Sequence, residues 1–245
     1  VYKRQAANGP ALTSVEGQGR AGDRVGLITI DLDDTLWPCA PVIRRAEEEL
    51  FGWLKSKAPR LAAFHDLQSL REHRKQLARE QPHRAHDLTW LRREHLRRLL
   101  DEFGYDPRDA DEGVARFRMA RNRVEPYVDV PPVLARWRHR HILVAVTNGN
   151  ADVEQTPLRG IFHHLVDAVR AGAAKPDPAM FRAALSLANC SPGRAMHIGD
   201  DPVRDIEPAR RLGMRTVWVN RSGASWPEKL QEPDVQVERL DELVI

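Results

Sequence analysis

Three carboxylates and a threonine follow a short apolar run in the stretch DLDDT, which begins at Asp31. An aspartate can act as a covalent nucleophile, which divides one difficult displacement into two easier steps. Asp31, the first residue after the apolar run, is the natural candidate for that role. Asp33, two residues further on, can protonate a leaving alkoxide and later take a proton from the attacking water, provided that its pKa suits both steps. The DxD spacing therefore has a chemical reason.

Polar residues also follow two other apolar runs. The turn TNGN comes after ILVAV, GDD comes after RAMHI, and a lysine lies between them in AKPDPAMF. The candidate site residues are Asp31, Asp33, Thr35, Thr147, Asn148, Lys175, Asp200, Asp201 and Asp205. Carboxylates at close range repel one another unless a cation lies among them, and Mg²⁺ is the hard, oxygen-binding ion that suits such a set. Mg²⁺, the lysine and backbone N–H groups of the turns would together suit a phosphate group.

The elements that must bring these residues together are short strands alternating with helices. VGLITI, residues 25–30, is typical of a strand covered on both faces. ILVAVT, RAMHIG and TVWVN alternate with helical stretches such as DPAMFRAALSLA, which is typical of βαβ units on a parallel sheet. Because ligands bind at the carboxyl ends of such strands, the three polar clusters would meet at one crevice. We predict an α/β fold, a Rossmann-like parallel sheet with helices on both faces.

A helical block separates the first strand from its partners. Apolar residues recur at helical spacing from residue 41 to residue 123, as in Val42, Ala46 and Leu50. The pattern and the breaks at prolines predict a bundle of four helices over 41–57, 64–80, 87–102 and 109–122. The predicted organisation is a disordered leader or vector-derived remnant over 1–24, an α/β core over 25–40 and 124–245, and an all-helical insertion over 41–123.

Composition limits the function classes. The chain has 245 residues and a formal net charge of +3, but its basic residues are interleaved with almost as many acids, which is weak evidence for nucleic acid. No apolar run approaches the roughly 20 residues needed to span a bilayer. The two cysteines match no metal-ligand spacing. These features favour a cytoplasmic protein that acts on a small molecule, without a nucleic-acid or membrane partner; they say nothing about oligomeric state.

The motifs DLDDT, TNG, a lysine in AKPDP and GDDPVRD, in that order and with a helical insertion after the first, resemble the haloacid dehalogenase-like superfamily of phosphatases. The resemblance covers roughly residues 25–222. It implies Mg²⁺-dependent hydrolysis of a small phosphorylated metabolite through an aspartyl-phosphate. The insertion resembles the helical cap that closes over the crevice and excludes water. Within the superfamily, the motifs look most like phosphatases of flavin mononucleotide, riboflavin precursors and sugar phosphates.

The resemblance also implies a role for each candidate. Asp31 resembles the phosphorylated nucleophile and Asp33 the general acid and base, while Thr35 steadies their loop. Thr147 and Asn148 match the positions that bind phosphoryl oxygens, and Lys175 matches the cation that offsets the carboxylates. Asp200 matches the metal-ligating acid beside Asp31 and the Asp33 carbonyl; Asp201 and Asp205 would orient metal-bound waters and Lys175. Haloacid dehalogenases of this superfamily lack the second acid of DxD, so Asp33 favours phosphomonoester hydrolysis.

Simpler interpretations exist for single residues. DLDDT alone also suits a solvated turn that caps a helix, Lys175 an exposed loop, and Asp201 and Asp205 a helix N-terminus. Trp37 is expected to pack under the insertion rather than bind a ligand. A solvated helix face is expected for Arg92, Arg93, Arg97 and Arg98, and surface positions for the five histidines of the insertion, His65, His73, His83, His86 and His95.

Two other functions remain compatible with the motifs. A phosphosugar mutase would use the same aspartyl-phosphate chemistry and return the phosphoryl group to a sugar instead of to water. A non-catalytic module on the same fold would use the basic face of the insertion to hold an anion or nucleic acid. The intact set of acids argues against the module.

Overall fold

A six-stranded parallel sheet forms the centre of the computed structural model, which describes Thr13–Ser14 and residues 25–245. Its strands are β2 (Leu27–Ile30), β3 (Ile142–Thr147), β4 (His164–Asp167), β5 (Ala195–Gly199), β6 (Arg215–Val219) and β7 (Val235–Val237). The strand order is β4-β3-β2-β5-β6-β7. The chain first extends the sheet to one side of β2 and then crosses to the other side. The predicted α/β class is therefore confirmed.

The central strand β2 is completely buried, as its unbroken apolar run predicts. Its side chains alternate between the two faces of the sheet. Ile28 and Ile30 join one hydrophobic cluster with Trp137, whereas Leu27 joins a second cluster with Phe181 on the opposite face. Because β2 pairs with both β3 and β5, the direction of strand addition reverses next to its carboxyl end. That reversal opens a crevice where a ligand can bind.

Helices cover both faces of the sheet. They are α6 (Val130–Arg138), α7 (Ala168–Ala171), α8 (Ala179–Leu187) and α9 (Glu207–Arg211). Helix α8 lies within the predicted stretch DPAMFRAALSLA and buries Met180 and Phe181 against the sheet. Aspartates at strand ends begin several turns, because a carboxylate accepts hydrogen bonds from free backbone N–H groups. Asp167, for example, accepts one from the Arg170 N–H at 2.8 Å.

The helical block between β2 and β3 contains five α-helices rather than the predicted four. They are α1 (Cys39–Lys57), α2 (Pro59–Phe64), α3 (Leu67–Glu80), α4 (Leu88–Glu102) and α5 (Ala110–Arg121). They share a hydrophobic cluster of their own, which includes Trp53, Leu96 and Phe117. Helices α1 and α5 pack closely because Gly113 has no side chain: a Cβ there would lie 2.7 Å from the Trp53 ring.

The extra helix explains where the prediction was wrong. Pro59 was taken as a break, yet it occupies the first turn of α2, where its missing N–H costs nothing and its fixed φ suits a helix. Helix α3 begins at Leu67 rather than at residue 64. Asp66 accepts from the Ser69 N–H at 2.7 Å, and the Ser69 hydroxyl accepts from the Asp66 N–H at 3.1 Å. This reciprocal cap sets the start of α3.

The two ends of the described chain meet at a small second sheet. Strand β1 (Thr13–Ser14) pairs in parallel with β8 (Leu243–Val244). The rest of the predicted leader, residues 1–12 and 15–24, lies outside the described residues. Among the helices described above, none combines the length and the apolarity that crossing a membrane requires.

Candidate active site

The first acid of DLDDT lies at the tip of the central strand. The Asp31 N–H continues the sheet by donating to the Ile198 carbonyl at 2.9 Å. Its side chain is buried, and Oδ2 accepts a hydrogen bond from the Thr35 hydroxyl at 3.3 Å. The same hydroxyl lies 3.1 Å from Oδ1 of Asp200, the residue that follows the neighbouring strand β5. Thr35 therefore links the two acids, which agrees with its expected place in the loop.

The loop turns sharply after Asp33. Asp34 adopts a left-handed backbone conformation with φ of 62°, which aspartate tolerates better than most residues. Its carboxylate accepts from the Cys39 N–H at 2.8 Å and so begins helix α1. Trp37 is completely buried, as predicted, and its indole Nε1 donates to Asp33 Oδ1 at 2.9 Å. The turn therefore places Asp33 next to the end of the strand.

Lys175 is the buried cation of the site. Its Nζ donates to Asp31 Oδ1 at 2.5 Å, to Asp205 Oδ1 at 2.6 Å and to the Val146 carbonyl at 3.0 Å. These contacts use all three ammonium protons. Burial alone would lower the pKa of Lys175, but the Asp205 and Asp31 carboxylates raise it above its usual range. The interpretation as an exposed loop lysine is wrong, because Lys175 is almost fully buried.

Asp205 is a buried anchor for this lysine. Oδ1 also faces His197 Nε2 at 3.2 Å, and Oδ2 accepts from the Asp201 N–H at 3.1 Å. His197 Nδ1 in turn lies 2.8 Å from the Thr29 hydroxyl. Burial opposes ionisation of Asp205, but the Lys175 charge outweighs it and lowers the pKa of the carboxyl group. Asp205 is thus a stable anion whose two oxygens are both engaged.

Carboxylate oxygens of Asp31, Asp200 and Asp205 lie within 4.8 Å of one another. Burial raises the pKa of Asp31 well above its usual range; Lys175 opposes this effect, while Asp205 and Asp200 add to it. Burial, with a contribution from Asp205, also raises the pKa of Asp200 to about 7. One lysine therefore does not neutralise the cluster. A hard divalent cation among these oxygens would remove the repulsion, so the donor set fits Mg²⁺.

Asp33 forms an ion pair that the sequence did not indicate. Arg121, the last residue of α5, donates through Nη2 to both Asp33 oxygens, at 2.7 Å and 2.6 Å. The guanidinium is 1% exposed, and its Nε and Nη1 have no hydrogen-bond partner among the described residues. A side chain from the insertion thus reaches the proposed acid–base group of the core.

The TNGN turn supports the site from the third strand. The Thr147 hydroxyl accepts from the Gly149 N–H at 2.9 Å. The Asn148 amide was expected to bind phosphoryl oxygens, but it pairs with the backbone of Lys175, accepting from N–H at 2.7 Å and donating to C=O at 2.9 Å. A Cβ on Gly149 would lie 2.6 Å from Asp33 Oδ2. The turn therefore needs glycine here and fixes both Lys175 and Asp33.

These residues enclose a cavity of about 280 Å³. All the predicted site residues except Thr35 line it, and Cys39, Ile43, Leu88 and Arg121 line it from helices α1, α4 and α5. Burial and the nearby Asp33 charge raise the pKa of the Cys39 thiol to about 12. The thiol that lines the cavity is therefore neutral at physiological pH. Core and insertion together form the space in which a substrate would lie.

Asp201 lines this cavity, but its carboxylate forms hydrogen bonds with the backbone. Its carboxylate accepts from the N–H groups of Val203 and Arg204 at 2.8 Å and 3.0 Å. This agrees with the simpler interpretation of Asp201 as a turn-capping acid. The adjacent Asp200 carbonyl accepts from the Trp218 indole Nε1 at 2.7 Å. Together these contacts hold the GDD turn against β6.

Several residues were missed or misplaced by sequence analysis. Arg121 carries no local signal, since it lies 88 positions from the acid it binds. Arg221, which the sequence analysis did not single out, supports the loop by donating to the Thr35 carbonyl at 2.9 Å. Arg92 does not lie on a solvated face: it is buried, with its guanidinium 3.3 Å above the Phe117 ring.

Two of the five histidines of the insertion differ from the surface positions that were expected, whereas His73 and His83 are exposed. His65, which follows α2, and His95 of α4 are both buried; the His65 ring packs against Phe64 and Phe103. Burial, and the positive charge of Arg74, lower the pKa of His95 to about 3, so it is neutral at physiological pH. Apolar periodicity does not reveal such positions when a histidine occupies the inward face.

Comparison with known proteins agrees with the geometry. A model of the haloacid dehalogenase-like hydrolase family matches residues 25–213. The 5-amino-6-(5-phospho-D-ribitylamino)uracil phosphatase of Escherichia coli is 31% identical over 90% of this chain and 95% of its own. The phosphoserine phosphatase of Thermus thermophilus is 31% identical over 89% of this chain and 98% of its own.

The solved structures that resemble this chain include proteins named as dehalogenases. The crystal structure of a 2-haloacid dehalogenase from Pseudomonas syringae has a TM-score of 0.83 and 38% identity, covering 89% of this chain and 96% of that one. A haloacid dehalogenase-like phosphatase from Thermococcus onnurineus has a TM-score of 0.64 at 22% identity, covering 89% and 95%; this likeness concerns the fold alone. The neighbours therefore include both phosphatases and dehalogenases.

Proposed function

The chain belongs to the haloacid dehalogenase-like hydrolases, and from that premise we propose that it is a Mg²⁺-dependent phosphatase of a small phosphorylated metabolite. The observation that carries the proposal is the pair of acids Asp31 and Asp33, which line one cavity together with Lys175. A nucleophile beside an acid–base group is what hydrolysis of an alkyl phosphate needs, because an alkoxide leaves only when it is protonated.

In the first step Asp31 is the nucleophile. One of its carboxylate oxygens forms a bond to phosphorus while the bond from phosphorus to the ester oxygen breaks. The ester oxygen takes the proton of Asp33 and leaves as an alcohol. Lys175 holds Asp31 at 2.5 Å and thereby orients the attacking carboxylate. Both Asp33 oxygens accept from Arg121, so Asp33 must be released from that ion pair before it donates a proton.

In the second step water attacks the phosphorus of the aspartyl-phosphate. Its proton passes to the Asp33 carboxylate, the bond between phosphorus and Asp31 breaks, and inorganic phosphate is released. Asp31 and Asp33 then have the charges with which the cycle began. Thr147 and the backbone N–H groups of its turn are proposed to hold the phosphoryl oxygens. Asn148 contributes by positioning Lys175 through its two backbone contacts.

The metal and the insertion complete the proposal. Bound by the carboxylates of Asp31 and Asp200 with the Asp33 carbonyl, Mg²⁺ would supply positive charge for the phosphoryl oxygens. Asp205 is engaged on both oxygens and serves as the partner of Lys175. We assign residues 25–40 and 124–245 to the catalytic core and 41–123 to a cap that excludes water from the cavity.

The proposal is tested by phosphate release from p-nitrophenyl phosphate with Mg²⁺. We expect Asp31→Asn to reduce the rate by about 10³-fold or more, because the nucleophile is lost. The matched control is Asp34→Asn in the same loop: asparagine keeps the acceptor for Cys39 and tolerates the left-handed backbone. This control should retain the rate within about threefold. Equal rates for the wild type and Asp31→Asn would disprove the proposed mechanism.

Dehalogenation of a 2-haloacid is the second candidate, because the dehalogenase structure from Pseudomonas syringae is 38% identical. Attack of Asp31 on carbon would displace a halide, which needs no proton. Asp33 would then have no leaving group to protonate, so its presence favours phosphatase activity. Halide release from 2-chloropropionate, measured beside phosphate release, decides between them: halide without phosphate would establish the dehalogenase.

A further inference from the structure

Arg221 is a largely buried arginine that the mechanism proposed above does not use. It lies just beyond strand β6, and its side chain is 12% exposed. Nε donates to the Thr35 carbonyl in the acid loop (residues 31–37) at 2.9 Å, while Nη1 and Nη2 donate to Asp129 Oδ1 and Oδ2 at 3.2 Å and 2.9 Å. The guanidinium carbon lies over the Tyr127 ring, 3.9 Å from its centroid. Because the donors of a guanidinium have a rigid geometry, these contacts fix the plane of the group.

Asp129 is a fixed anchor for this arginine. Its side chain is 1% exposed, and Oδ2 also accepts from the Leu240 N–H at 2.8 Å. Burial raises the pKa of Asp129, but hydrogen bonds from Arg221 and from the Leu240 N–H outweigh burial and lower the pKa below its usual range. The segment that carries Asp129 also pairs with the acid loop, because the Tyr127 N–H donates to the Leu36 carbonyl at 3.0 Å. Arg221 therefore connects a charged, buried anchor to the acid loop.

Thr35 lies between Arg221 and the acids of the proposed metal site. It is completely buried, and its hydroxyl is 3.3 Å from Asp31 Oδ2 and 3.1 Å from Asp200 Oδ1. Because a β-branched side chain is stiff, the position of this hydroxyl follows the position of the Thr35 backbone. Mg²⁺ requires nearly ideal octahedral geometry, so its affinity depends on how the two carboxylates are oriented. The contact that fixes the Thr35 carbonyl therefore also affects the orientation of both carboxylates.

We propose that Arg221 is a positioning residue for Mg²⁺ and that it acts through Thr35. This inference rests on the proposed phosphatase function, in which Asp31 and Asp200 hold the ion. The described residues that line the cavity do not include Arg221, so we assign it no contact with substrate or metal. Its task is to hold the Thr35 peptide group between Asp129 and the two acids. Without Arg221 this peptide group loses its charged donor, the hydroxyl shifts, and the carboxylates no longer keep one orientation in which to receive the ion.

Calorimetric titration of Mg²⁺ into the protein without substrate tests the proposal. We expect Arg221→Gln to weaken Mg²⁺ binding by about 10-fold, as is typical when a group that supports metal ligands is lost. Arg221→Lys keeps the charge but cannot place separate nitrogens of one plane on Thr35 and Asp129, so we expect a smaller loss. Arg239→Gln is the matched control: Arg239 also lies in the C-terminal part of the chain, is 42% exposed and pairs with Asp241. This control should bind Mg²⁺ like the wild type.

A second substitution shows whether the effect passes through Thr35. Thr35→Val removes the hydroxyl but keeps the backbone carbonyl and the size of the side chain. In the Thr35→Val protein, Arg221→Gln should cause little further loss of Mg²⁺ affinity, because residues that act in one network have non-additive effects. Additive losses of affinity overturn the proposal.

A merely structural role would give a different result. Arg221→Gln would then lower the Tm, while the folded protein would bind Mg²⁺ with the affinity of the wild type; that outcome overturns the proposal, as does a wild type that binds no Mg²⁺. Asp129→Asn removes the charge of the anchor and should also weaken Mg²⁺ binding, so it replaces Arg221→Gln in the test if that protein does not fold. If the Mg²⁺ results are as expected but no phosphate ester is hydrolysed, the phosphatase function alone is disproved.

Discussion

At the scale of single residues, the acids of one loop have different tasks because their surroundings differ. Asp31 contacts a buried ammonium, Asp33 contacts an arginine and an indole, and Asp34 accepts from the first N–H of helix α1. In the proposed mechanism the same type of side chain is therefore nucleophile, acid–base group or capping residue according to its partners. Composition alone does not distinguish these tasks.

Gly149 allows the first prediction. Gly149→Ala places a Cβ 2.6 Å from Asp33 Oδ2 and 3.1 Å from Arg121 Nη2, so the Asp33–Arg121 pair has to move. We expect phosphatase activity to fall by about 10- to 100-fold and unfolding to become easier by about 1–3 kcal/mol, as for other overpacked sites. Gly193→Ala is the control, since nothing lies within 4 Å of its Cβ. Initial rates and urea unfolding measure both effects; full activity of Gly149→Ala would contradict this view.

Asp200 would make the proposed binding of Mg²⁺ depend on pH. Its pKa of about 7 in the folded protein exceeds the unfolded value of about 3.9, so the folded state keeps a proton that the unfolded state has lost. Without metal, its contribution to stability therefore declines as pH rises from about 4 to 7. In the proposed function Mg²⁺ would bind the ionised form, so we expect Mg²⁺ to raise the Tm more at pH 8 than at pH 5.

Thermal unfolding in EDTA and in Mg²⁺ at the two pH values tests this expectation. Asp200→Asn cannot ionise, so its Tm should respond little to Mg²⁺ at either pH. Glu228→Gln, outside the site, is a control that should behave like the wild type. A Mg²⁺ effect of the same size at pH 5 and pH 8 would show that Asp200 does not hold the metal.

At the scale of elements, the insertion combines an apolar core with buried charge. Leucines of α3 and α4 face α1 and α5, while Glu47 of α1 is buried and accepts hydrogen bonds from Arg71 at 2.6 Å and Arg74 at 3.0 Å. Buried ion pairs contribute little net stability, but leaving one partner alone is costly. Ion pairs as well as apolar packing therefore join the helices of the insertion. This insertion positions Arg121 beside the cavity.

Buried His95 predicts how this bundle responds to acid. Its folded pKa of about 3 lies below the unfolded value of about 6.5, so the unfolded state binds a proton first as pH falls. Stability is therefore lost between pH 6.5 and pH 3, by up to about 1.4 kcal/mol per pH unit. We expect His95→Phe to reduce this loss and exposed His83→Gln to leave it unchanged, as measured by urea unfolding at pH 7 and pH 5. Equal acid sensitivity of His95→Phe and the wild type would show that His95 does not cause the loss of stability in acid.

At the scale of the whole molecule, the reversal of strand order beside β2 and the helical insertion create one cavity from distant parts of the chain. Asp31, Lys175 and Asp205 meet although they lie up to 174 positions apart, because parallel strands place their carboxyl ends at one edge. Contacts such as Asn150 Nδ2 to the Thr89 hydroxyl, at 3.2 Å, join the insertion to this edge. The cavity therefore depends on how the two parts meet.

The sequence by itself determined the α/β class, the helical insertion and the set of acids at the strand ends. These follow from local patterns: an unbroken apolar run, helical periodicity, and polar residues where a strand stops. Tertiary structure alone decided that Arg121 holds Asp33, that the Asn148 amide serves Lys175, and that Arg92 and His95 are buried. Such contacts depend on how each helix is rotated and where the insertion rests on the sheet. No local pattern encodes that placement, because it results from the packing of all the elements together.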